Sequence, residues 1–161
     1  MSLTVTTDAT TRTPTVSEQL TRLIDLGLPG VAGVSPEELR SHASKLRARP
    51  DSILVVHPCL APPSRFATLL RHGGTRVPAV DALICPGPSD QLLYLVHGIE
   101  RGDDLAGHTP EEAREELRAR GRRPLTVNEG LSWLLQQQDP GSSRSASRRG
   151  RLGLLSTPVD I

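Results

Sequence analysis

The sequence predicts a mixed α/β (α+β) domain, a small sheet of about three strands covered by capped helices, with disordered N- and C-terminal tails. Three observations carry that expectation. Four hydroxyl-x-x-Glu boxes, Thr15 with Glu18, Ser35 with Glu38, Thr109 with Glu112 and Thr126 with Glu129, mark helix starts. In each the hydroxyl and the carboxylate satisfy amides that a first helical turn leaves orphaned. The short apolar runs 52–56 and 92–96 read as buried strands. Helices interleave with these strand candidates, which excludes a sandwich, and the boxes are unequally spaced, which excludes a solenoid.

Taken in order, residues 1–15 form a Thr-rich arm without helical period, expected to be mobile. The box at Thr15 opens a helix in which Val16, Leu20, Leu23 and Ile24 share a face, and Gly27 stops it. Residues 28–34, with Pro29, Gly30 and Gly33, read as a turn. Ser35 and Pro36 open a second helix that turns Leu39, Ala43 and Leu46 inward and ends before Pro50. The run 52–56, bounded by Asp51 and Pro58, is a strand. Residues 65–72, carrying Phe66, Leu69 and Leu70, form a short helix before Gly73 and Gly74. Residues 77–84 are a third strand candidate, weakened by Pro78, and 86–89 are a loop.

The stretch 91–135 organises the chain. After strand 92–96 comes an acidic turn with His97, Glu100, Asp103 and Asp104. Thr109 and Pro110 then open a helix with acids in its first turn and arginines in its last, which complements the helix dipole. Ala113 and Leu117 are its only apolar stripe, and Gly121 suits a left-handed cap. Thr126 opens a last helix, in which Val127, Leu131, Leu134 and Leu135 fall at helical spacing. Residues 16–138 are therefore expected to form a single globular domain, and 139–161 a Ser/Arg/Gly-rich disordered tail.

Composition narrows the function classes. Phe66, Tyr94 and Trp133 are the only aromatics, too few for base-stacking nucleic-acid surfaces. The formal net charge is +1, too small to steer the whole molecule to a polyanion. The tail from residue 136 is weakly basic, which is no nucleic-acid signature by itself. Cys59 and Cys85 form no Cys-x-x-Cys, so a reduced, cytoplasmic chain is expected. No apolar run approaches the roughly 18–20 residues of a bilayer span.

Several segments resemble an uncharacterised bacterial family, the domain of unknown function 5701. They are Leu26-Gly27-Leu28-Pro29-Gly30-Val31-Ala32-Gly33-Val34-Ser35, residues 69–74, Tyr94-Leu95-Val96 leading to Arg101-Gly102-Asp103-Asp104, and Gly121-Arg122-Arg123-Pro124-Leu125-Thr126 leading to Glu129-Gly130. The resemblance covers about residues 17–138, and the tail departs from it. It implies no established activity and no site residues.

Three clusters invite chemistry. His97, Glu100, Asp103, Asp104 and His108 could form a general acid/base group, with His97, Glu100 and Asp103 as catalytic candidates. Asp103, Asp104 and His108 are candidate ligands for a divalent metal, which favours clustered carboxylates. The plainer reading is an acidic turn paired with neighbouring arginines. Arg122, Arg123 and Thr126 are anion-binding candidates at a helix N-terminus, although Glu129 competes for the same positive end. His57 and Cys59 with Cys85 or His97 suggest zinc or a Cys–His pair, against the commoner inert cysteine. No Gly-x-Ser-x-Gly elbow supports acyl transfer. The leading expectation is a cytoplasmic binding or protein-interaction module. Its alternative is a small metal-assisted hydrolase or transferase using the turn 97–108.

Overall fold

The computed structural model describes residues 13–70, 91–137 and 155–158, the last by backbone alone, and over them the fold is mixed α+β. The strand candidate 77–84, the loop 86–89 and Cys85 lie outside the described residues, as do most of the two tails.

Helix α1 (Val16–Asp25) starts at Thr15, whose hydroxyl accepts from the Glu18 amide while the Glu18 carboxylate takes the Thr15 amide. Residues 28–34 are not the expected turn. They hold a one-turn helix, α2 (Leu28–Ala32), because Gly27 (φ 106°) and Gly33 (φ 70°) supply the left-handed reversals at its two ends. Helix α3 (Pro36–Ala43) repeats the capping box with Ser35 and Glu38. Strand β1 (Ile53–Val56) follows, then α4 (Pro63–Phe66), continued as a 3-10 turn over Ala67–Leu69.

Strand β2 (Leu93–Val96) runs antiparallel to β1, with Leu54 opposite Leu95 and Val56 opposite Leu93. The turn after it contains the short β3 (Glu100–Arg101) and a 3-10 turn at Asp103–Leu105. Helix α5 (Pro110–Ala119), β4 (Arg122–Pro124) and α6 (Val127–Gln137) follow.

Among the described residues the strands make two sheets rather than one. β1 and β2 form a pair, while β3 and β4 flank β5 (Leu155–Pro158), which lies between them. Part of the segment expected to be a disordered tail is thus the central strand of a sheet. Leucine and serine supplied no period there that a sequence pattern could register.

Leu23, Leu39, Leu54, Phe66, Leu93 and Leu135 anchor the main core. Leu105, Ala113 and Leu117 form a separate small cluster under α5. The buried face of α6 differs from the apolar stripe: Val127 is 36% exposed, whereas Asn128, Leu131, Ser132 and Leu135 point inward. The reason lies in β1, whose second edge has no strand beside it among the described residues. Gln19 of α1 donates to the Ser52 carbonyl (2.8 Å) and accepts from the Leu54 amide (2.8 Å). Asn128 donates to the Val56 carbonyl (2.8 Å), and the Ser132 hydroxyl accepts from the Val56 amide (3.4 Å). Side chains of two helices therefore stand where a neighbouring strand would, because buried backbone groups must be satisfied.

Candidate functional site

The residues that carried the sequence-based expectations lie at the end of β2, in the turn after it, and at the start of α6. His97 leaves β2 and its Nδ1 lies 2.9 Å from the Ser52 hydroxyl, which also accepts from the Arg49 amide (2.6 Å). This ties the start of β1 to the end of β2, at one end of the strand pair. Gly98, at φ 56°, donates its amide to Asp51 (2.8 Å), and its carbonyl accepts from Arg122 (2.6 Å).

Each acid in the turn meets an arginine. Glu100 lies 3.3 Å from Arg122, Asp103 lies 3.2 Å from Arg101, and Asp104 lies 2.8 Å from Arg120. Arg120 also holds Glu116 at 2.8 Å. The hydrogen bond from Arg120 holds the Asp104 carboxyl below its ordinary range. His108 is exposed, its amide closing the 3-10 turn on the Leu105 carbonyl. Among the described residues no three or more His, Cys, Asp or Glu side chains converge to hold a metal ion. The donors available for a divalent cation here are carboxylates already opposed by guanidinium groups, a poor fit to a hard-cation site.

Arg122, Arg123 and Thr126 do come together, around a carboxylate of the protein itself. Glu129 is 1% exposed and accepts four hydrogen bonds. Arg123 grips it through both terminal nitrogens at 2.8 Å, the Thr126 amide donates at 2.7 Å and the Tyr94 hydroxyl at 3.2 Å. The Thr126 hydroxyl accepts the Glu129 amide (3.3 Å), which completes the fourth capping box. Burial is the largest single influence on Glu129 and pushes its pKa up. Arg123, the Thr126 amide and the Tyr94 hydroxyl together outweigh it and hold the carboxyl below its ordinary range. Burial, and then the charge of Glu129, push the Tyr94 phenol well above its usual value. The positive end of α6, a candidate anion site for which Glu129 was the rival occupant, thus receives that intramolecular carboxylate.

His57 is buried beside this group, with its ring edge-on to Tyr94 (centroids 6.2 Å apart). Its Nδ1 accepts the Cys59 amide at 3.1 Å, which in the neutral ring leaves the proton on Nε2. Nε2 of His57 and Oδ1 of Asn128 are buried without a hydrogen-bond partner among the described residues. Cys59 is exposed and free, and His97 bonds Ser52 rather than joining it. Sequence reasoning missed Gln19, Asn128 and Ser132, because a polar residue on a helix reads as solvated until the strand edge it serves is in place. It also missed β5.

No helix among the described residues is long and apolar enough to cross a membrane. A family model described as a family of unknown function, DUF5701, matches residues 22–146. No curated protein and no solved structure matches the chain significantly.

Proposed function

Since the chain belongs to the DUF5701 family, a family of unknown function, we propose from its own surfaces that it is a protein-interaction module that binds an extended polypeptide segment by strand addition. One observation carries this reading: β3 and β4 do not pair with each other, and both pair with a strand that enters between them from beyond residue 137. Two strand edges facing one slot are a template for a peptide backbone, with main-chain hydrogen bonds supplying affinity. The match to the family spans β3 and β4 and stops before β5. The acceptor strands lie inside the matched region and the occupant outside it.

The acidic turn serves this reading as a support. Its ion pairs to Arg120 and Arg122 fasten β3 and the turn to the end of α5 and to β4. Free, exposed Cys59 and the absence of paired cysteine spacing favour a reducing compartment, so we place the module in the cytoplasm.

The test is selection of random peptides on the full chain carrying Thr157→Pro, which removes an amide from the resident strand. Selected peptides should slow amide hydrogen exchange at Glu100 and Arg123, whose register places them opposite the resident strand. Tight-binding peptides that leave those amides unprotected would place recognition elsewhere and refute strand addition.

A further inference from the structure

Resting on that strand-acceptor reading, we infer that residues 155–158 are a built-in competitor for the slot. We infer also that the external partner is an extended segment with backbone N–H groups at the two positions equivalent to Ser156 and Thr157. The register yields this rule. β5 places Pro158 opposite Arg122, Thr157 opposite Arg123 and Ser156 opposite Pro124 on one side, and Ser156 opposite Glu100 on the other.

In an antiparallel ladder, directly opposed residues alternate between pairs that exchange both hydrogen bonds and pairs that exchange none. Pro158 and Pro124 lack an N–H, and their pairings lie two residues apart, in the same phase. The Arg123 and Thr157 pair must then be the one that exchanges bonds across β4 and β5. Alternate residues of a central strand address opposite neighbours, so Ser156 turns its amide to Glu100 of β3. Pro158 faces the same side at a point where β3 has already ended. An incoming segment therefore tolerates proline at the position opposite Arg122 and is excluded by proline at either of the two positions before it.

The resident strand holds its place through tethering as well as contact. It belongs to the same chain as its acceptor strands, so it meets the slot as an intramolecular ligand, at an effective concentration on the order of millimolar. A free segment making the same backbone contacts must exceed that concentration or bind better. Weakening the resident strand opens the slot.

The experiment uses a fluorescent peptide with the sequence of residues 151–161, titrated by anisotropy into the full wild-type chain and into full-chain Thr157→Pro. The variant is expected to bind at least about tenfold more tightly than wild type, and the same peptide carrying Thr157→Pro should bind neither. Equal affinity for both proteins overturns the competitor and leaves the slot standing. Binding to neither removes the slot itself.

A second variant guards against a folding defect. Glu100→Cys with Ser156→Cys, in a chain whose Cys59 and Cys85 are replaced by alanine, is expected to exclude the peptide when oxidised and, when reduced, to bind it as weakly as wild type does. Undiminished binding to the oxidised, cross-linked chain overturns the inference.

Discussion

Glu129 shows how one side chain can close a helix start, anchor a strand and neutralise a buried charge together. Arg123→Ala should cost about 2 kcal/mol in urea denaturation, below the roughly 3–5 kcal/mol of a fully buried pair, because 41% of the Arg123 side chain stays in solvent. Lysine at 123 should not restore it, since the two-pronged contact needs a planar fork. The pH dependence follows from the directions of two shifts. The folded pKa of Glu129 lies below 4.5, so its contribution is complete above that pH and is lost as pH falls through the lower folded value. The folded pKa of Tyr94 lies above 10.0, so its contribution is complete below that pH and is lost as pH rises. Stability measured against pH should therefore show a shallower acid limb in Glu129→Gln and a shallower alkaline limb in Tyr94→Phe. Legibility at this scale was partial. Glu129 was visible as a capping residue and as a rival for the anion site, but Tyr94 lies far away in sequence and nothing local joins them.

Helix starts were the most legible elements, because a capping box is complete within four residues and needs no tertiary partner. All four boxes form, and Thr109→Ala should lower stability by about 1 kcal/mol in thermal unfolding. The strands 53–56 and 93–96 were legible for the same reason, an apolar run between breakers. What stayed hidden depended on distance. The stretch 28–34 reads as a turn on composition, yet two left-handed glycines let a helical turn form between them. Gly27→Ala should cost about 1–2 kcal/mol by denaturation, since its φ of 106° is strained for any side chain and the new Cβ would meet only Leu69 at 3.8 Å. The face of α6 was misjudged because Asn128 and Ser132 answer a strand edge formed some seventy residues earlier.

Across the whole molecule, two sheets solve the problem of an open edge differently. β1 covers its edge with Gln19, Asn128 and Ser132, side chains that stay in place once the core is packed. The edges of β3 and β4 are covered by a strand from later in the chain, which on our proposal leaves while the core remains. Thr157→Pro should accordingly speed hydrogen exchange at Glu100 and Arg123, the two amides turned to β5, while leaving 53–56 as slow as in wild type. Equal acceleration at both sheets would mean that they open as one unit. Cells build polypeptides from the amino end, so β5 is synthesised after everything it pairs with. β3 and β4 leave the ribosome before the strand that joins them, and until residues 155–158 follow, an extended segment of a neighbouring chain has the chance to reach the gap first.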